Sequence, residues 1–573
     1  MIPNAWSMRT GIDDWYEKTR NTWGNALNRA AADHSNVEAI VYKNRRITFG
    51  QLRRYVDSFA NGLMALGIKA GDNVGLWMTN CPEWVVSQFA IYKIGARMVA
   101  INTRYRLSEL EYVLKQSDCT ALIMNDVFLE KTNAVDMIMQ IVPGIEQNRK
   151  LSKDTEDVIE PKHVVILSRI GKKYAGTFDF NEVLETGDHH GSESALIKTE
   201  AQVSPTDIMS IQYTSGTTGF PKGVMCTHRS NMASFFCAGV GVGYRNGKDR
   251  MIVALPFFTN AGALGCSATS ILFGVTMVVL EQYDPEECIK IIEKEKVTIG
   301  IGSDNMYINI MNNENFSKHD LSSLRGGIMA GGHNPVEVIK EVMAIVPEIT
   351  MVYGLTENSG LGSMVLYDDP IDKRLRTSGR PMPYTRIGIM DDGTRNILGQ
   401  NENGEICTRD ILPNSSVMAG YYKKEKETRE AIDKDGWLHT GDLGLLDEDG
   451  YLIVTGRLKD MFTSGGNNVY PAEIENYLHT HPLVKQVAVV GIPDEVKGGI
   501  PMAYVILKEN SKIGSDEIIA YCMNNIASYK VPKYVEFVSE LPLTSSGKVQ
   551  KVELKERAIK QFGLEEIGKK RKM

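Results

Sequence analysis

From residue 48 to residue 126, short apolar runs alternate with stretches whose apolar residues recur every three to four positions, the signatures of strand and helix. Leu52, Val56, Phe59 and Leu63 share one helical face, and Thr48-Phe-Gly-Gln51 reads as the capping box that opens that helix. Residues 74–78, 98–101 and 121–124 read as strands. Residues 82–94 read as a helix closed by Gly95, and Ser108-Glu-Leu-Glu111 as a second capping box. After a weakly periodic stretch, residues 164–167 form another strand, and the polar segment 171–200, rich in Gly, His and Glu, reads as a loose surface segment. A second alternating block has strands at 251–255, 275–280, 297–301, 327–329 and 350–352, with helices near 262–273, 285–295, 305–313 and 335–346. Such alternation implies parallel sheets with helices on their faces, an α/β fold built from two βαβ-rich subdomains.

After residue 380 the texture changes. Gly, Asp and Asn become frequent and short strands alternate with turns, as at Asp391-Asp-Gly393 and Asp447-Glu-Asp-Gly450, which suggests a small β-rich lobe. From about residue 460 helix and strand patterns at 472–478, 486–490, 502–507, 515–526 and 534–537 describe a small α+β module. The expected organisation is a large N-terminal domain over 1–456, a hinge at 457–460 and a small mobile domain over 461–573.

At 573 residues the chain exceeds what one core supports. A formal charge of −7 argues against nucleic acid as the main partner. The eight cysteines form neither a CxxC pair nor a zinc spacing, and read as reduced thiols of a cytoplasmic protein. The start, Met1-Ile-Pro-Asn-Ala-Trp6, lacks the pattern of a signal peptide, and no apolar run is long enough to span a membrane. The basic tail Lys569-Lys-Arg-Lys-Met573 reads as a solvated end.

Between the two α/β blocks stands Tyr213-Thr-Ser-Gly-Thr-Thr-Gly-Phe-Pro-Lys-Gly-Val224, directly after an apolar run. Its glycines let backbone approach a ligand. The hydroxyls of Thr214, Ser215, Thr217 and Thr218, with loop N–H groups at Gly216 and Gly219, can donate to phosphate oxygens, and Lys222 adds a positive charge. The spacing is not that of a Walker A loop, because Pro221 precedes the lysine and Gly223 follows it.

Five further strings follow in order: Gly331-Gly-His-Asn-Pro335, Tyr353-Gly-Leu-Thr-Glu357, Trp437-Leu-His-Thr-Gly-Asp442, Gly456-Arg-Leu-Lys-Asp460 and, with Ser464-Gly-Gly466 between, Pro542-Leu-Thr-Ser-Ser-Gly-Lys548. Each alone is an ordinary loop. A carboxylate such as Glu357 suits Mg²⁺, which prefers oxygen ligands, and a carboxylate such as Asp442 suits vicinal hydroxyls. Together and in order, the strings resemble the signatures of the adenylate-forming superfamily, which holds acyl- and aryl-CoA synthetases, peptide-synthetase adenylation domains and beetle luciferases.

The resemblance implies an AMP-forming carboxylic acid–CoA ligase using ATP, Mg²⁺ and coenzyme A. It assigns Gly331, Gly332 and His333 to the adenine loop, with His333 a departure from the usual small residue, and Tyr353 and Gly354 to the nucleotide. Thr356 becomes an α-phosphate contact, Glu357 the Mg²⁺ residue, Asp442 the ribose ligand and Arg457 a nucleotide contact. Lys459 becomes the hinge, Ser464, Gly465 and Gly466 the pantetheine-side segment, and Lys548 the catalytic lysine. Phe257, Phe258, Thr259, Leu355 and Gly360 are the expected acyl-pocket lining, with Thr259 where relatives often carry His. Gly302-Ser-Asp-Asn-Met306 departs from the usual Pro-Thr-bearing form, and Asp304 is expected to cap the next helix. No cation stands ready for a second carboxylate, so an apolar fatty, alicyclic or aryl acid is expected. Loading of a carrier protein stays open as the alternative activity, and a homodimer stays open as the assembly.

Overall fold

The computed structural model describes residues 22–128, 132–142, 145, 161–214, 221–331, 335–391, 393–509, 511–523, 525–544 and 548–565. Ser215, Gly216, Thr217, Thr218, Gly219, Gly332 and His333, both chain ends and most of the weakly periodic stretch before residue 161 lie outside the described residues.

Strands Ile208–Thr214, Arg97–Ala100, Asn73–Trp77, Cys119–Asn125 and His163–Leu167 pair in parallel, in that spatial order. Their runs are almost wholly buried, as expected where both faces of a sheet are covered. Lys222–Thr227 adds an antiparallel edge to Ile208–Thr214, with Thr214 opposite Lys222. Gly420–Tyr421 pairs outside that edge, and Phe178–Asp179 ends the eight-stranded sheet on the other side.

The second sheet has nine strands. Glu348–Tyr353, Gly326–Met329, Ile299–Gly302, Arg250–Val253, Thr276–Val279 and Glu38–Tyr42 run parallel through its middle. The early strands Glu38–Tyr42 and Arg45–Thr48 thus complete the sheet of the later block, so the two blocks interlock. Helix Pro82–Lys93 joins the halves: Glu83 alone of its residues escapes burial, Trp84 stacks on Phe257 with ring centres 5.1 Å apart, and the Gln88 amide donates to the Ala263 carbonyl at 2.8 Å.

Three local expectations are corrected. Residues 171–200 are not loose: they hold helices Phe180–His190 and Glu193–Glu200, the first capped by the Asp179 carboxylate and buried through Phe180, Val183 and Gly187. Phe180 stacks on Phe59 at 4.3 Å, so a mostly polar helix is held by a narrow apolar stripe. The box expected at Ser108 stands two residues earlier, where Glu109 accepts from the Arg106 N–H at 2.8 Å and the helix runs Leu107–Gln116. Ser303, not Asp304, caps helix Asp304–Met311, its hydroxyl accepting from the Met306 N–H at 3.3 Å. The capping box at Thr48 and Gln51 forms as expected.

Strands Thr385–Met390, Gly404–Asp410, Leu438–Leu446 and Leu452–Arg457 build a four-stranded antiparallel lobe. Beyond it a separate sheet pairs Asn467–Val469, Phe462–Ser464, Gly498–Leu507 and Val484–Asp494, with Tyr534–Phe537 beside Gly498–Leu507, and its faces carry helices Pro471–His479, Ser515–Met523 and Lys551–Gln561. This C-terminal body has its own apolar clusters, around Val489, Val505 and Ile474 on one side and Val490, Tyr504 and Leu554 on the other.

Candidate active site

Parallel strands of the second sheet deliver their chain ends to one edge, where open α/β sheets place ligands. Strand Glu348–Tyr353 ends in a tight turn: the Asn358 side chain accepts from the Leu355 N–H at 2.8 Å and the Gly360 N–H donates to the Leu355 carbonyl at 2.8 Å. The turn carries Gly354, Leu355, Thr356 and Glu357. Its shape requires glycine at 360, which has φ 107° and packs against Phe235 and Asn260, where a Cβ would stand 2.8 Å from the Phe235 ring.

Glu357 meets the paired strands that carry Thr214 and Lys222. Its Oε1 accepts from the Tyr421 hydroxyl at 3.1 Å and lies 3.5 Å from the Thr214 hydroxyl, while the Lys222 ammonium sits 4.3 Å from the centre of the Tyr421 ring. A carboxylate and two hydroxyls are hard oxygen donors, a set that fits Mg²⁺, with Lys222 beside it for phosphate charge.

Asp442 stands opposite Arg457 on neighbouring antiparallel strands. Its Oδ1 takes the Arg457 Nε at 2.9 Å and its Oδ2 the Tyr353 hydroxyl at 3.0 Å. Burial, which outweighs the nearby guanidinium and the Tyr353 hydrogen bond, raises its pKa above the ordinary aspartate value. The turn before it is braced by Glu405, whose Oε1 accepts from the Gly441 N–H at 3.0 Å. Glu405, Cys407 and His439 bring together three atoms of metal-ligating type. However, the Arg395 Nη1 lies 2.6 Å from His439 Nδ1 and 3.0 Å from Glu405 Oε2, so a guanidinium already holds the place a cation would take. The cluster is a hydrogen-bonded brace for the Asp442 turn.

Lys548 enters from the C-terminal body. Its loop is pinned by the Thr544 N–H donating to the Lys548 carbonyl at 2.7 Å and by the bridge from Leu543 to Val549. The side chain crosses to the N-terminal half and lies against Gly331, where an added Cβ would stand 3.1 Å from the lysine Cε. Burial lowers the Lys548 pKa, and Arg457 lowers it further, against the opposing pull of Asp442, Glu357 and Asp304. So Lys222, Gly331, Tyr353, the 354–360 turn, Asp442, Arg457 and Lys548 converge. Ser464, Gly465 and Gly466 do not: the two glycines form an exposed hairpin tip, at φ 58° and 83°, with open space around them. Lys459 is exposed, in the turn after Arg457 where the Asp460 and Met461 N–H groups donate back to the Arg457 carbonyl at 3.1 and 3.0 Å.

The expected acyl lining is split. Gly360 faces Phe235 and Asn260, and Phe258 is half-buried near them in sequence. Phe257 is wholly buried in the core against Trp84, and the Thr259 hydroxyl ties the Pro256 carbonyl to the Gly262 N–H at 2.7 and 3.1 Å, opening a π-helix over Ala261–Ala268. An apolar cavity lies elsewhere, beneath the first turn of helix Asp304–Met311, lined among others by Ile252, Ala254, Ile292, Met306, Tyr307 and Leu324. The Tyr307 hydroxyl in its wall is buried and has no hydrogen-bond partner. Tyr421, Phe235 and this cavity went unread in the sequence; the only signal for Tyr421 was an aromatic pair, Tyr421 and Tyr422, within a polar stretch.

The model of the family described as AMP-binding enzyme matches residues 27–422, and that of its C-terminal domain matches residues 473–548. The chain belongs to the AMP-binding enzymes. Within this family it is 38% identical to YngI of Bacillus subtilis (strain 168), described as a candidate acyl-CoA synthetase, over 96% of this chain and 99% of that protein. It is 36% identical to the medium-chain acyl-CoA ligase ACSF2, mitochondrial, of Danio rerio, over 92% of this chain and 86% of the relative. Among solved structures, the anthranilate CoA ligase AuaEII in complex with anthranoyl-AMP superposes with a TM-score of 0.82 at 28% identity, covering 95% of this chain and 98% of that one. Among the described residues, no helix is long and apolar enough to cross a membrane.

Proposed function

We propose that this AMP-binding enzyme is an AMP-forming ligase that joins an apolar carboxylic acid of medium chain length to coenzyme A through an acyl-adenylate. One observation chiefly supports this: Lys548 reaches from the C-terminal body onto Gly331, within electrostatic reach of Asp442, Arg457 and Glu357. A carboxylate does not react with a thiol, because oxide would have to leave. Attack of the carboxylate oxygen on the α-phosphorus of ATP expels pyrophosphate and leaves a mixed anhydride. The CoA thiol then attacks its carbonyl, AMP leaves, and the thiol proton passes to solvent.

In this reading the Lys548 ammonium offsets the charge that grows on the α-phosphate oxygens. Lys222 and the hydroxyls of the loop after Thr214 hold the outgoing pyrophosphate, Thr356 contacts the α-phosphate, and Asp442 takes the ribose hydroxyls. Glu357 with the Thr214 and Tyr421 hydroxyls would hold Mg²⁺, which supplies charge neutralisation to the phosphates when bound. The ACSF2 relative supports an apolar acid of medium length. Carrier-protein loading draws no support from the relatives named above. We place the enzyme in the cytoplasm, a reading supported by eight free and buried cysteines.

The test is AMP release with ATP, Mg²⁺ and CoA across fatty acids of graded length, cyclohexane-type acids and aryl acids. Release that requires CoA and peaks with medium-chain acids is expected. Pyrophosphate exchange without any CoA thioester would overturn the ligase reading in favour of carrier loading.

A further inference from the structure

The start of helix Asp304–Met311 meets both bodies of the molecule. Strand Ile299–Gly302 ends there, and the Gly302 carbonyl accepts from the Ala330 N–H at 3.0 Å, which ties this turn to Gly331 and so to the surface on which Lys548 rests. Ser303 serves as the cap, the Asp304 Oδ1 accepts from the Asn305 N–H at 2.8 Å, and the Asn305 side chain turns to another partner. Asp304 lies within electrostatic reach of Lys548. The Asn305 Oδ1 accepts from the Gln486 Nε2 at 2.8 Å, a bond that bridges the N-terminal half and the C-terminal sheet. Gln486 is fixed on strand Val484–Asp494, opposite Ile506, and both partners are half-buried. Met306 and Tyr307, the following residues, line the apolar cavity.

We propose that Asn305 and Gln486 form a latch whose hydrogen bond holds the C-terminal body in the orientation that presents Lys548 for adenylation, which makes both of them positioning residues for the first half-reaction alone. The inference rests on the two-step ligase reading above. Asn305 belongs to a helix rooted in the second sheet and Gln486 to the C-terminal sheet, so a rigid rotation that brings the Ser464–Gly466 tip to the site parts them. The latch therefore weighs on adenylation and not on thioester formation.

The experiment uses the full chain with an acid that supports AMP release. Pyrophosphate exchange reports adenylation, and CoA thioester formation from supplied acyl-adenylate reports the second step. Asn305→Ala and Gln486→Ala are each expected to slow exchange roughly 2- to 10-fold, the net worth of one hydrogen bond, with thioester formation unchanged or faster. The double variant is expected to be no slower than either single one, because both remove the same bond. Unchanged melting temperatures separate this from misfolding. Equal loss in both steps, multiplying single effects, or exchange at the parent rate would overturn the latch while the parent enzyme's activity leaves the ligase reading standing. A parent protein that exchanges pyrophosphate with no acid would overturn the ligase reading and the latch together.

Discussion

Lys548 is asked to be charged in a place that resists charge. Burial and the neighbouring Arg457 both push its pKa below the ordinary lysine value, while Asp442, Glu357 and Asp304 pull the other way. A folded-state pKa lowered in this way means the ammonium is lost, as pH rises, earlier than on a free lysine. Pyrophosphate exchange is therefore expected to fall on the alkaline side before a free lysine would titrate. Lys548→Arg, always protonated, is expected to lose that alkaline limb, and Lys548→Ala to lose roughly 100- to 1,000-fold in exchange while sparing thioester formation from supplied acyl-adenylate. A pH profile of exchange for the three proteins checks it, and an identical alkaline limb in the arginine variant would remove Lys548 from the role. Residue by residue, the sequence was readable where a motif names a side chain: Glu357, Asp442 and Lys548 stand out in their strings. It was mute on Tyr421, because a hydroxyl that reaches Glu357 from 64 residues along the chain leaves no local pattern.

At the scale of elements, period and capping chemistry located most strands and helices, and the errors have physical causes. The box at Ser108 has the right letters, but Glu109 reaches the N–H of Arg106 and starts the helix a half-turn sooner. Residues 171–200 looked loose because their helices are polar on most sides. What holds helix Phe180–His190 is a close crossing with helix Phe49–Ala65: a Cβ on Gly187 would stand 1.7 Å from the Ser58 carbonyl oxygen, and one on Gly62 would stand 2.2 Å from that of Val183. No periodicity announces a backbone-to-backbone contact made by missing side chains. Gly187→Ala must push the helices apart and is expected to cost about 1–3 kcal/mol, the usual range for overpacking. Chemical denaturation checks it, with Gly399→Ala as an exposed control where the added Cβ would make only ordinary contact with the Glu402 side chain. Equal stability of the Gly187 variant and the parent would show that the crossing is not tight. The π-helix at Ala261–Ala268 was likewise read only as a helix, since its extra residue per turn depends on Thr259 and Pro256 and not on any apolar period.

For the molecule as a whole, one fact governs the chemistry: the C-terminal body presents Lys548 to the site while its Gly465–Gly466 tip stands in solvent. Both cannot serve one centre at once, because they sit on different parts of a single sheet-and-helix unit: Ser464 pairs with Gly498, and Lys548 follows strand Tyr534–Phe537. A second step that uses the tip needs the unit to turn, and the chain between Arg457, fixed in the lobe, and Phe462, fixed in the C-terminal sheet, is where turning is cheapest. Lys459 lies in that connection. Lys459→Pro fixes φ near −65° and removes the rotation the hinge reading requires. The variant is expected to keep pyrophosphate exchange within a few-fold of the parent. Thioester formation from supplied acyl-adenylate is expected to drop on the order of 100-fold, since misplacing a reacting group by about 1 Å already costs that much. This is the mirror image of Lys548→Ala, so the two variants measured side by side separate the two half-reactions. If Lys459→Pro formed thioester at the parent rate, the pivot would have to lie elsewhere in the chain. If it lost exchange as well, residue 459 would be holding the present orientation and not releasing it.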